Sequence, residues 1–270
     1  MLDKSLKDQV AAIFSGLESE YIFEVNASKE HESYNELVDM LEDVVSCSSK
    51  LTLRISDGDS IAFSLLKNEE PTGITFRGIP NGHEFTSLLL AVLNSDGKGK
   101  NQPDEYIKNR IKSLKGDIKL TTYVSLTCTN CPEVVQSLNL MSILNPNISH
   151  EMVDGSIYQE EAKSLRIQAV PAVYADGELV HVGRGELGVL LSKLEEKYGT
   201  EDSIQDNEPK AYDMIVIGGG PAGVSAAIYS ARKGMSVAVI AENVGGQVKE
   251  TQGIENLISV PTTTGEELTR

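Results

Sequence analysis

Leu120-Thr121-Thr122-Tyr123-Val124-Ser125-Leu126-Thr127-Cys128-Thr129-Asn130-Cys131-Pro132 carries the signals from which the rest of the chain can be read. The apolar, β-branched run at its start reads as a strand. Val134, Val135, Leu138, Leu140, Met141, Ile143 and Leu144 follow at near-helical spacing. Between strand and helix lie two of the three cysteines, spaced C-x-x-C. A strand, a tight turn holding the pair and a helix form the setting of a thiol redox site.

Three cysteines do not build a disulfide scaffold, and in a reducing compartment such a pair is catalytic or metal-binding. Structural zinc takes four ligands. Cys47 is remote, and His31, His83, His150 and His181 show no ligand spacing, so redox chemistry is favoured and no metal is expected. Two inert buried thiols are the bland alternative, and Cys47 is read in that way. At a helix N-terminus, Cys128 should meet unpaired N–H groups and the positive end of the dipole, which stabilise a thiolate. Cys131, one turn on, should resolve the mixed disulfide that Cys128 forms. Val170-Pro171 opens a later strand, where a thioredoxin-type fold places a cis proline beside its active site.

The 270 residues fit about two domains. A net charge of −16 argues against nucleic acid, whose phosphates are held by clustered Lys and Arg. No apolar run is long enough for a membrane span. The start, Met1-Leu2-Asp3-Lys4-Ser5, has no basic-then-apolar leader, so the expected location is cytoplasmic.

From the N-terminus the pattern predicts a helix over 1–18 and a strand at 21–25. A helix carrying Leu37, Leu41 and Val44 comes next, then strands at 51–55 and 61–66 and an edge strand at 73–78. A strongly apolar helix opens at His83. After a helix at 106–114 the order repeats, with strands at 119–125, 149–154, 172–177 and 178–183 and a helix at 187–197. This is an internal repeat. In each copy a hairpin leads through an Arg–Gly step, Arg77-Gly78 or Arg184-Gly185, to a Glu-bearing helix start. The first copy has Ala27-Ser28-Lys29-Glu30-His31 in the turn where the second has its cysteines. The expected fold is α/β. Its domains are 1–115 without a cysteine pair, 116–198 with one, a polar acidic linker at 199–210 and a nucleotide-binding segment at 211–270.

Glu84 at a helix start is ordinarily a dipole partner. The functional alternative is a buried carboxylate that moves protons for the thiols. In the last segment Gly218-Gly219-Gly220-Pro221-Ala222-Gly223 follows a buried strand and opens a helix at 224–233, and Glu242 ends the next strand at 236–240. That is a dinucleotide fingerprint, with glycines close to the pyrophosphate and the carboxylate on the ribose. It fits FAD and NAD alike.

With these motifs, the sequence resembles the flavoprotein component of alkyl hydroperoxide reductase. The resemblance rests on 122–144, Gly82-His83-Glu84-Phe85-Thr86-Ser87-Leu88, Val170-Pro171-Ala172-Val173, 218–233 and Gly245-Gly246-Gln247-Val248. It implies two fused thioredoxin-like folds, a linker and the first, incomplete part of a Rossmann-like FAD-binding domain. In that family electrons pass from NADH to FAD, to a second C-x-x-C, to the amino-terminal pair and then to the disulfide of a peroxiredoxin. By position, Cys128 would attack, Cys131 resolve, Glu84 serve as acid/base and Pro171 flank the pair. Gly218, Gly219, Gly220, Pro221, Ala222, Gly223 and Glu242 would fall on FAD, with Gly246, Gln247 and Asn256 near the flavin.

Three departures stand out, the first being Ala62 of the first copy, where relatives often place a proline. Thr129 replaces the usual His inside the motif. The chain stops at Arg270, without a second C-x-x-C or a glycine fingerprint for NADH. It therefore reads as a truncated NADH- and FAD-dependent disulfide reductase lacking NADH-driven turnover by itself. The alternatives are a non-catalytic module that docks a peroxiredoxin, or a standalone disulfide oxidoreductase. The family dimerises through the flavin module, so a full-length homodimer is expected.

Overall fold

The computed structural model describes residues 2–99, 102–201 and 211–269; of the expected linker, 202–210 lie outside the described residues. The chain divides into two compact units, 1–205 and 206–270. The first runs α1 (Lys4–Phe14), β1 (Tyr21–Ala27), α2 (Tyr34–Val45), β2 (Leu51–Asp57), β3 (Ile61–Lys67), β4 (Glu70–Arg77), α3 (Phe85–Ser95) and α4 (Glu105–Lys112). It continues with β5 (Ile118–Val124), α5 (Cys131–Leu144), β6 (Ile148–Asp154), α6 (Gln159–Ser164), β7 (Ala172–Ala175), β8 (Glu178–Val182) and α7 (Leu187–Tyr198).

All eight strands form one sheet, ordered β2-β1-β3-β4-β6-β5-β7-β8. In each half the first strand pairs parallel with the second and antiparallel with the third, and the last two form a hairpin. The halves meet where β4 pairs parallel with β6, from Ile74 opposite His150 to Arg77 opposite Val153. This corrects the reading of 73–78 as an edge strand. Its alternation, Ile74 and Phe76 buried between less buried neighbours, mimics an edge, but β6 takes its outer hydrogen bonds. The edges among the described residues are β2 and β8.

Pairing also fixes which residues of the two copies correspond. Ala27 faces Asp57 as Val124 faces Asp154, and Ala62 faces Arg77 as Ala172 faces Val182. The Gly78 N–H donates to the Ile61 carbonyl at 2.8 Å, and the Gly183 N–H to the Pro171 carbonyl at 2.8 Å. Arg77-Gly78 therefore matches Val182-Gly183 and not Arg184-Gly185, a correction to the repeat register. Both glycines turn the chain at positive φ, which a side chain disfavours. The step from the end of β1 to α2 equals that from the end of β5 to α5. His31 and Tyr34 thus occupy the places of Cys128 and Cys131.

The sequence pattern also missed α6. This short helix has no buried residue of its own, so it shows no apolar stripe. Partly buried Ala162 within it, and Tyr158 and Ile167 on its flanks, close it onto the sheet by packing on Tyr123, Val153, Ala172 and Tyr174. The Arg77 guanidinium lies 4.1 Å from the Tyr158 ring centroid and bridges Glu161 at 2.6 Å. On the opposite face one hydrophobic cluster joins Phe63, Phe76, Leu88 and Leu89 of the first copy to Val124, Cys131 and Val135 of the second. A second cluster seats α5 and α7 on β5, β6 and β7.

A buried polar link fixes α5 to this sheet. The His150 Nδ1 is 2.6 Å from Asn139 Oδ1, and Nε2 is 2.8 Å from the Thr122 hydroxyl. Since Oδ1 only accepts, Nδ1 carries the proton and Nε2 accepts from Thr122. Burial holds the imidazole neutral, lowering its pKa to about 3.

The second unit consists of β9 (Met214–Ile217), α8 (Pro221–Arg232), β10 (Val237–Ile240) and α9 (Gly265–Leu268), with β9 and β10 parallel. The helix begins at Pro221, three residues before the expected start, because proline's fixed φ suits a first helical position. Ile217 is 85% and Ile258 91% exposed, whereas Val216 is buried. Two strands with so little covered surface are marginal alone, while the first unit has its own continuous core. Residues 1–198 expressed alone should therefore unfold cooperatively at the same urea midpoint as the corresponding transition in the whole chain. A broad or strongly shifted transition would contradict this.

Candidate redox site

The sheet order places the end of β5 centrally in its half, with the cysteine turn at its tip. The Cys128 N–H donates to the Ser125 carbonyl at 2.9 Å, closing the turn. Helix α5 starts at Cys131 itself, with Asn130 as its cap and Pro132 within its first positions. Cys128 thus lies in the turn before the helix, further out than expected, because Pro132 sets the helix entry one turn later. Cys128 is half-buried, Cys131 is fully buried, and both thiols are free. The Cys128 Sγ is 3.8 Å from the Val170 carbonyl oxygen, and the Val170–Pro171 peptide is cis. The two thiols are neighbours. Burial pushes Cys131 well above the ordinary thiol range, and the neighbouring Cys128 raises it further.

Glu84 comes from the other copy. A single 3₁₀ turn, Gly82–Glu84, precedes α3 and packs against α5. Glu84 is 0% exposed, and neither carboxylate oxygen has a hydrogen-bond partner among the described residues. Burial raises its pKa from 4.5 to about 7, the nearby Ser87 hydroxyl pulling the other way. A charge there also bears on Cys131, raising its pKa. Glu84 is also the N-cap residue of α3, and its burial works against the ionised form that a helix dipole favours.

Sequence reasoning singled out neither Leu126, whose carbonyl accepts from the His83 N–H at 3.2 Å, nor Gly82, which makes that approach possible. The signal was present in Gly82-His83-Glu84: a glycine two residues before an acid at a helix start. A cavity of about 570 Å³ opens elsewhere, between 31–33 and 156–161, with no cysteine in its lining.

In the second unit the glycine turn is built by close approach. A Cβ on Gly223 would lie 2.0 Å from the Gly218 carbonyl oxygen, and one on Gly219 2.5 Å from that of Asn243. Gly218 has φ +112°, and the Gly245 N–H donates to the Gly219 carbonyl at 2.8 Å. The turn is thereby fastened to the loop that carries Glu242. Gly220 caps α8 and faces open space, and Pro221 and Ala222 form the helix's first turn. Gly246 lies against Gly220, Gln247 is exposed within the 3₁₀ turn 246–250, and Asn256 is exposed further along.

Residues 117–194 match the thioredoxin domain family, and 212–268 match the pyridine nucleotide-disulphide oxidoreductase family. Together with the eight-stranded sheet, these define a thioredoxin-like unit joined to part of a domain of the pyridine nucleotide-disulphide oxidoreductase family. The chain is 43% identical over 268 residues to the F component of alkyl hydroperoxide reductase of Staphylococcus epidermidis, covering 99% of this chain and 52% of that protein. It is also 43% identical over 270 residues to a Bacillus subtilis protein called NADH dehydrogenase, with the same coverages. The NTD_N/C domain of alkylhydroperoxide reductase AhpF from Enterococcus faecalis superposes with a TM-score of 0.67 at 31% identity, covering 72% of this chain and 100% of that one. The chain belongs to the AhpF family of alkyl hydroperoxide reductase components. It spans about half the length of the curated relatives it matches.

The Glu84 shift gives a signed prediction. A carboxyl whose folded pKa is raised favours the folded state below its unfolded value of 4.5 and loses that contribution as pH climbs through about 7. The full difference is on the order of 3 kcal/mol. Glu84→Gln should remove this dependence, so that urea midpoints from pH 4.5 to 8 fall less steeply than in the wild type. Parallel profiles would contradict a buried, titrating Glu84.

Proposed function

We propose that Cys128 and Cys131 form the dithiol relay that reduces the disulfide of a peroxiredoxin, within an NADH- and FAD-dependent peroxide-reducing system of the cytoplasm. The observation that carries this reading is the arrangement of the pair. Cys128 is accessible beside Val170, and Cys131 waits buried behind it next to Glu84.

In the first step the Cys128 thiolate attacks one sulfur of the partner's disulfide. A bond forms between Cys128 Sγ and that sulfur, and the partner's other sulfur leaves as a thiolate. Cys131, held protonated by burial, does not compete for this attack. In the second step Cys131 loses its proton and attacks Cys128 Sγ, which frees the partner as a dithiol and leaves a Cys128–Cys131 disulfide. Two electrons have passed to the partner. Glu84, with a pKa near neutrality, is suited to take the Cys131 proton and return it when the pair is reduced again. Pro171 bounds the face on which the partner's chain lies.

The glycine turn fits a dinucleotide. Gly218, Gly219, Gly220, Pro221, Ala222 and Gly223 would receive the pyrophosphate and Glu242 the ribose, with Gly246, Gln247 and Asn256 toward the flavin. The chemistry supplied by FAD held there is exchange of an electron pair between NADH and dithiols. By this reading the domains are 1–115, 116–198 and 211–270, and the complete protein is a homodimer.

With dithiothreitol as electron source, Cys128→Ser should lower reduction of peroxiredoxin disulfide to background, whereas Cys47→Ser should leave it unchanged. Unchanged turnover by Cys128→Ser would eliminate the relay. The 270-residue chain should retain FAD weakly, since its second unit buries little of its surface. A stoichiometric yellow protein bleached by NADH would contradict that.

A further inference from the structure

The loop between β4 and α3 of the first copy, which has no cysteine pair, touches the cysteine turn through the backbone. The His83 N–H donates to the Leu126 carbonyl at 3.2 Å, and Leu126 lies two residues before Cys128. Gly82, at φ +56°, lies so near that a Cβ there would be 2.7 Å from the same carbonyl oxygen. The loop is itself stiff. The Asn81 N–H donates to Ile79 at 2.7 Å, and the Glu84 N–H to Asn81 at 3.1 Å. Asn81 Nδ2 donates to Glu36 on α2 at 3.1 Å. From there the chain passes directly to Glu84 behind Cys131.

The corresponding loop of the second copy follows Gly183 and is used differently. There His181 Nε2 bonds the carbonyls of Gly183 and Arg184, and Arg184 reaches Glu133 at the start of α5. The cysteine turn and its helix are thus held on one side by their own copy and on the other by the first copy.

We propose that Gly82 and the His83 N–H are positioning elements of the redox site. The first copy sets the height of Leu126, and through it the placement of Cys128 relative to Cys131 and Val170. Glycine is required because any side chain would push the carbonyl away and lose the His83 bond. This inference rests on the relay reading of the pair but adds a role for the first copy that involves no titratable side chain.

The test compares Gly82→Ala with Gly97→Ala in the full chain. Gly97 has φ +74° with nothing within 4 Å of a built Cβ, so it incurs similar backbone strain without the approach to Leu126. The readouts are the equilibrium constant of the Cys128–Cys131 pair with glutathione, the pH profile of Cys128 alkylation, and dithiothreitol-fed disulfide reduction. Gly82→Ala should move the equilibrium constant by about tenfold, shift the alkylation profile and slow reduction by roughly tenfold to a hundredfold. Gly97→Ala should leave all three as in the wild type. Equal behaviour of the two folded variants would overturn the proposal. An inactive wild-type chain would instead overturn the relay reading.

Should Gly82→Ala not fold, exchange of the His83 amide in the wild type decides. Its rate should differ several-fold between dithiol and disulfide forms, and an unchanged rate would overturn the proposal.

Discussion

The backbone hydrogen bonds between β4 and β6 are the constraint on which the rest depends. Four residues of one copy run parallel to four of the other, from Ile74 and His150 to Arg77 and Val153. They turn two four-stranded halves into one sheet, and with it one hydrophobic cluster that includes Cys131. The loop leaving β4 is thereby delivered to the cysteine turn, and the helix start that carries Glu84 is delivered behind it. Parallel pairing alone contributes modestly; its register is fixed by the buried side chains it aligns.

This arrangement gives the copy without a cysteine pair a part in the site. An unpaired buried carboxylate is costly when charged, and a copy serving only as ballast would not need one. In Glu84 that cost becomes a pKa near neutrality, adjacent to a thiol that burial keeps protonated. The first copy's own turn has gone another way. His31 and Tyr34 fill the cysteine places, and the Tyr158 hydroxyl bonds both the N–H and the carbonyl of Ile61, each at 3.0 Å. Ile61 stands where Pro171 stands in the second copy. The edge that would meet a partner there is occupied from within the same unit.

Most of the architecture was legible in the sequence because its signals are local. Tyr21–Val25, Ile61–Leu66 and Leu120–Val124 are apolar β-branched runs, and the glycine turn and C-x-x-C announce themselves by spacing. What was not legible depends on partners distant along the chain. Strand β4 reads as an edge because the sequence does not display β6 beside it. Helix α6 meets the sheet through partly buried Ala162 and its flanks, Tyr158 and Ile167, too few apolar positions to show as a stripe. The Arg–Gly step misleads because a dipeptide match weighs less than the two equivalent bonds made by Gly78 and Gly183. Cys128 lies before α5 because Pro132 decides where the helix begins. Glu84 was visible as a residue at a helix start, but the absence of a hydrogen-bond partner for its carboxylate among the described residues is a property of the packed interface.

The most direct test of the account is to trap the first covalent step. The reduced Cys131→Ser chain, mixed with a disulfide-bonded peroxiredoxin, should accumulate a one-to-one adduct that dithiothreitol dissolves. Peptide mass analysis should place its cross-link on Cys128. A cross-link on Cys47, or no adduct while the wild-type chain reduces the same partner, would contradict the assignment of Cys128 as the attacking thiol.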